Sequence, residues 1–149
     1  MGVNGLRLPD AFVRAVQEGR TARIWHLKHN RDAYGNRLYS SIGAIYRNET
    51  TIANETADVA EVRMNDEETL ETLASEEDPY ANDPGFVPYI TDFSKILCFG
   101  HAGDGAPFLF DFRDDPEWPS VLYWDDVYWR RIAPDFESFL DLFREELEP

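Results

Sequence analysis

The chain contains one cysteine, Cys98, in 149 residues. An internal disulfide is therefore impossible, and so is a cysteine-only metal site; both fit a reducing, cytoplasmic environment. Long apolar runs are missing too. No window approaches the roughly 20 apolar residues that span a bilayer, and the N-terminal "MGVNGLRLPDAF" has no stretch of signal-peptide length, so no secretory signal is expected. Positive charge is scarce. The 14 Lys and Arg stand against 29 Asp and Glu, for a net charge of -15. Nucleic acid and anionic membranes favour the opposite sign, so neither is expected as a direct partner.

The charge is also unevenly spread. Residues 1–54 hold 4 acids and 8 basic residues, whereas residues 55–149 hold 25 acids and 6 basic residues. A strongly acidic surface keeps a protein soluble, and it also steers a basic partner toward it.

Hydrophobic spacing gives the elements. "LPDAFVRAVQEG" reads as a helix, with Pro9 in its first turn, Phe12, Val13 and Val16 on one face, and Gly19 as its stop. "ARIWHLKH" (22–29) reads as a strand, with Trp25 and Leu27 on one side and Ile24, His26 and Lys28 on the other. "ETTIANETADVAEV" places Ile52, Thr56 and Val59 at helical spacing, and "NDEETLETLASEED" reads as a further helix capped by Asn65. "FVPYITDF", "KILCFG", "PFLFDF" and "PSVLYWDD" read as strands, and "APDFESFLDLFREELE" as a closing helix. Strands adjacent in sequence, with helices at both ends, predict one α+β domain over 1–149 built on a central, mainly antiparallel sheet.

Motifs of catalysis are lacking. In "FGHAGDGAPFLFDFRDD" (99–115) the glycines Gly100, Gly103 and Gly105 run in the reverse of the Gly-x-Gly-x-x-Gly order, and a strand follows instead of a helix. That stretch reads as a hairpin with glycines at its turn, not a phosphate cradle. No Gly-x-Ser-x-Gly elbow exists. Cys98 sits in an apolar run as a small core residue. A metal-dependent hydrolase built on His101, Asp104 and Asp111 is the enzymatic alternative. The preferred reading has no catalytic residue, no metal and no cofactor.

What remains is aromatic and acidic. "DDPEWPSVLYWDDVYWRR" (114–131) interleaves Trp and Tyr with carboxylates, the composition of protein-interface hot spots. Asp104, Asp114, Asp115, Glu117, Trp118, Asp125, Asp126 and Tyr128 are the candidate contacts. The acids at 66–78 form a competing patch.

Taken together, "LCFGHAGDGAPFLFDFRDD", "PSVLYWDD" and "YWRRIAPDFESFLDLF", with Ala133, Phe136, Phe139 and Leu140 entering the last helix, resemble the SUKH superfamily. "LPDAFVRAVQEG" is similar to that family's opening Leu-Pro helix, departing at Glu18-Gly19 where Asn-Gly is usual. The resemblance implies helices packed on a central antiparallel sheet. It also implies a non-enzymatic cytoplasmic binding protein of the immunity type, whose partner is a basic toxin domain such as a nuclease. The alternative is a housekeeping interaction module like the fungal cell-wall-synthesis regulator of the same superfamily.

Overall fold

The structure, a computed structural model, describes residues 1–64, 85, 87, 90, 92–125 and 128–146. A short hairpin, β1 (Gly2–Val3) and β2 (Leu6–Arg7), precedes the first helix. Pro9 stands at the N-cap of α1 (Asp10–Gln17), and Asp10 lies in the first turn against the helix dipole. Phe12 and Ala15 are its buried residues, with Val13 and Val16 packed beside them. Gly19 ends the helix in the left-handed region, φ 71°. A 3-10 turn at Arg20–Ala22 leads into β3 (Trp25–Leu27), where Trp25 is buried and His26 is exposed.

β4 (Ile42–Ile45) and α2 (Glu49–Met64) follow, then β5 (Ile96–Ala102), β6 (Pro107–Asp111), β7 (Ser120–Asp125) and β8 (Tyr128–Ala133). These five strands form one sheet in the order β4-β5-β6-β7-β8, antiparallel throughout. The expected α+β architecture is present. The predicted helix over 65–78 lies outside the described residues. Of the strand expected over 86–93, the described residues Val87, Ile90, Asp92 and Phe93 are outside the named strands, yet its start runs along β8: the Val87 N–H donates to Trp129 O at 3.3 Å, and the Arg131 N–H to Gly85 O at 2.7 Å. Val87, Ile90 and Phe93 are buried all the same, which accounts for the apolar pattern that suggested one.

Alternation sorts the sheet's side chains between two cores. Val121 and Tyr123 join Leu97, Phe99, Phe108 and Phe110 against α1 and α3 (Phe136–Asp141). Leu122 joins Ile96, Cys98, Leu109 and Trp129 on the opposite face, with Val59 and Ala60 of α2 packed beside them. Because both faces are covered, β5 and β6 are almost continuously buried, and "KILCFG" is apolar without alternation. Cys98 is 1% exposed, and burial pushes its thiol up to about 12. It is a core residue, as its sequence setting indicates.

The closing helix is shorter than its spacing predicts. Asp135 caps α3 by accepting a hydrogen bond from the Ser138 backbone N–H at 2.7 Å, and the helix stops at Asp141. The next residues form β9 (Phe143–Glu145), antiparallel to β3 with Leu27 opposite Phe143 and Trp25 opposite Glu145. Backbone bonds from Lys28 N–H to Leu142 O and from Glu146 N–H to Ile24 O, 3.0 and 2.8 Å, extend the ribbon at both ends. Phe143 reaches the core from either conformation, so its spacing alone does not distinguish them. The distant strand β3 supplies backbone partners and decides for the extended form.

The glycines of the β5–β6 hairpin also divide their work. Gly105 has φ 91° and meets the turn's need for a left-handed residue. Gly100 is not in the turn. It lies within β5, where a Cβ would come 2.4 Å from the Ala44 carbonyl oxygen, so it permits β4 to approach.

The stretch of β5 beyond the short β4 and the outer side of β8 both find hydrogen-bond partners outside the sheet. The Cys98 N–H, on the side of β5 that β4 leaves open, donates to Thr56 Oγ1 of α2 at 2.8 Å, and that hydroxyl donates to Ile52 O at 2.6 Å. Thr56→Val leaves a buried N–H unsatisfied and is expected to cost about 1–3 kcal/mol in urea denaturation, whereas Thr56→Ser retains most of the stability. At the other edge, the turn at 31–37 lies on β8, with Ala33 N–H donating to Ile132 O at 3.0 Å. Asp32 of this turn and Arg130 of β8 are both buried, and Asp32 Oδ2 lies 3.3 Å from Arg130 Nε.

Candidate functional site

The sheet register separates the candidate contacts into two sets. Asp111 pairs with Ser120 at one end of the sheet, and Asp125 with Tyr128 at the other. Asp104, in the β5–β6 turn, lies at the Asp125–Tyr128 end. Asp114, Asp115, Glu117 and Trp118 occupy the β6–β7 loop at the opposite end. The length of β7, at about 3.3 Å per residue, puts some 17–20 Å between the sets. Asp126, the Tyr128 side chain and the acids of 66–78 lie outside the described residues.

At the Asp104 end, the carboxylates are engaged internally. Asp104 Oδ2 accepts from the Tyr123 hydroxyl at 2.7 Å and Oδ1 from the Ala106 N–H at 3.0 Å. Partial burial pushes this carboxyl up, but the bonds from Ala106, Tyr123 and Ser40 outweigh it and hold the group below its ordinary value. Burial, with Asp104 as acceptor, raises the Tyr123 hydroxyl well above the usual tyrosine range. Asp125 Oδ2 accepts from Arg130 Nη1 at 2.6 Å. These groups shape the end of the sheet from within.

The opposite end is more open. Asp114, Asp115, Glu117 and Trp118 are all exposed, Trp118 by 64%. Asp114 stands 3.7 Å from Arg131 Nη2, but its side chain is 87% exposed, so this pair contributes little to folding. Asp115 Oδ1 accepts from the N–H groups of Glu117 and Trp118, at 2.9 and 3.1 Å. With Pro116 and Pro119 bracketing them, Glu117 and Trp118 sit on a loop whose backbone is fixed before any encounter.

That loop forms one wall of a groove of about 340 Å³. The other walls are residues 7–11 and Arg14, and the start of α3 at Asp135, Phe136 and Glu137. Arg7 Nη2 is 2.9 Å from Asp10 Oδ1 across the helix start. The α1 and α3 walls did not emerge from the sequence as parts of a site. The available signal is "PEWP" (116–119), two prolines bracketing a charged residue and a tryptophan.

The residues of the enzymatic alternative do not converge. His101 pairs with Pro107 and Ile96 with Asp111, so His101 and Asp111 stand at opposite ends of the β5–β6 hairpin. His101 Nδ1 lies 3.0 Å from the Tyr46 hydroxyl, and Asp111 is held bidentately by Arg113. Among the described residues, no group of three His, Cys, Asp or Glu side chains is placed to hold a metal ion. No described helix is long and apolar enough to cross a membrane.

Compared with known proteins, the family model of the SMI1 / KNR4 family (SUKH-1) matches residues 4–142, ending at the C-cap of α3. Neither a curated protein nor a solved structure matches the chain.

Proposed function

The chain belongs to the SMI1 / KNR4 family (SUKH-1), and from that premise we propose that it is a non-enzymatic cytoplasmic binding protein of the immunity type. It neutralises a cognate basic toxin domain, such as a nuclease, by covering its functional surface with carboxylates. The observation that carries this reading is the β6–β7 loop, where Asp114, Asp115, Glu117 and Trp118 are exposed together on a fixed backbone. A nuclease surface must attract phosphate, so it is basic. Carboxylates placed where phosphates would lie compete for the same cations. The strongly acidic balance after residue 54 steers the encounter from a distance.

Co-expression with the toxin candidate encoded beside it, followed by co-purification, tests the reading. A stable complex is expected, and its association rate should fall steeply as salt rises. Asp114→Asn combined with Glu117→Gln should slow association about tenfold at low salt with little change in folding stability. A complex indifferent to ionic strength would contradict the acidic-surface mechanism. Failure of every encoded toxin candidate to bind would sink the immunity reading.

A further inference from the structure

Building on the protein-binding reading, we infer that the groove between α1, the 116–119 loop and α3 seats an arginine-bearing segment of the partner, its guanidinium stacked on the Trp118 ring. Three features of the groove support this occupant.

The first is the ring itself. A tryptophan that is 64% exposed leaves much of an aromatic face in water. Guanidinium is weakly hydrated and planar, and it stacks on aromatic faces at small desolvation cost. The chain already uses this contact internally, with Arg20 Cζ 5.3 Å from the Trp25 ring centroid.

The second is charge. Asp10, Glu117, Asp135 and Glu137 line the groove with Arg7 and Arg14. Asp10 is paired with Arg7 and Asp135 caps α3, leaving Glu117 and Glu137 as the exposed carboxylates against Arg14. Glu117 is next to Trp118 in the chain, and Glu137 is exposed on the facing α3 wall. The ring and these carboxylates line one groove, so a guanidinium seated there meets both an aromatic face and acceptors for charge-assisted bonds.

The third is rigidity. Pro116, Pro119 and the Asp115 carboxylate fix the loop, so little further ordering is needed on binding. The volume, about 340 Å³, suits one long side chain with its flanking backbone rather than a folded element.

The test is ¹⁵N NMR of the full chain titrated with acetyl-Arg-Gly-Arg-amide. Two matched peptides serve as comparisons: citrulline in place of arginine, which keeps the shape and removes the charge, and glutamate in its place. The arginine peptide should move the Trp118 indole N–H resonance and the amides of 117–118 and 10–11. The citrulline peptide should leave them in place. Trp118→Ala should abolish the effect with the rest of the spectrum retained, and E117Q/E137Q should weaken it several-fold. Equal shifts with citrulline, shifts confined to another surface, no shift at all, or preferential binding of the glutamate peptide at Arg14 would each overturn the inference. The two readings fail separately. If the peptide seats in the groove but no toxin domain co-purifies, the immunity reading falls and the groove stands. If a toxin domain binds wild type and W118A alike while Asp114→Asn with Glu117→Gln still slows its association, the groove inference falls and the immunity reading stands.

Discussion

Phe99→Ala is expected to lower the unfolding free energy by about 3–5 kcal/mol. Phe99 is fully buried and occupies the centre of an aromatic cluster. Its ring stacks on Phe110 at 4.1 Å between centroids and meets Phe136 and Phe139 edge-on at 5.8 and 5.4 Å. Phe12 of α1 adds another edge contact at 6.1 Å. Removing the ring forfeits its burial and opens a void between α1, α3 and the sheet, and the neighbouring rings belong to three different elements. Partial collapse is therefore the most that relaxation achieves. Urea denaturation should show a lower midpoint with an unchanged slope. Trp118→Ala, measured the same way, should fall within about 0.5 kcal/mol of wild type, because its ring is already largely in water. Equal losses at the two positions would mean that Trp118 carries folding energy rather than presenting an interaction surface.

Arg130→Met is expected to cost about as much, about 3–5 kcal/mol, for an electrostatic reason. The Arg130 side chain is 6% exposed and, among the described residues, makes three polar contacts. Nη1 donates to Asp125 Oδ2 and Nη2 to Arg37 O, each at 2.6 Å. Nε faces Asp32 Oδ2 at 3.3 Å without hydrogen-bond alignment, a Coulombic contact with a carboxylate whose side chain has no exposure. Methionine fills much of the space but leaves that carboxylate buried without its cation. Burial raises Asp32 above the ordinary 3.8, while the N–H groups of Tyr34 and Asn36 and the Arg130 charge pull it back. Losing the guanidinium lets it rise further. A raised carboxyl favours the fold fully below pH 3.8 and loses that contribution as pH climbs through the folded value. The deficit of Arg130→Met should therefore be smallest in acid and grow toward neutral pH. The double variant D32N/R130M should lose less than the two single losses added together. A deficit independent of pH would show that Asp32 does not depend on Arg130.

How far the sequence discloses this molecule depends on where each decision is made. The alternation of Val121 and Tyr123 against Leu122 and Trp124 is local, and the two cores follow it. The start of α1 is local as well, set by Pro9 and Asp10. Phe143 is different. Its spacing from Phe139 fits a helix, yet its backbone pairs with Leu27, and no pattern within 133–148 contains that information. Gly100 likewise resembles a turn residue until β4 is seen against it. The candidate contacts follow the same rule. Their residue types are visible as exposed acids and aromatics, but their grouping depends on strand register. Register puts Asp104 and Asp125 at one end of the sheet and Asp114 to Trp118 at the other. The groove brings residues from the first turn of α1 beside a loop a hundred residues later, a juxtaposition made only by folding.

The β3–β9 ribbon sets when folding can finish during synthesis. Arg23 bonds to Glu145 across 122 residues of chain. While the nascent polypeptide is still in the ribosome, β3 has no partner, and the face of the sheet that α1 covers lacks α3 as well. Pairings this distant in sequence also close slowly. The ribbon is therefore completed only after Phe143–Glu145 have emerged. Any fusion that hinders Phe143–Glu145 would delay that moment, however intact the rest of the sheet.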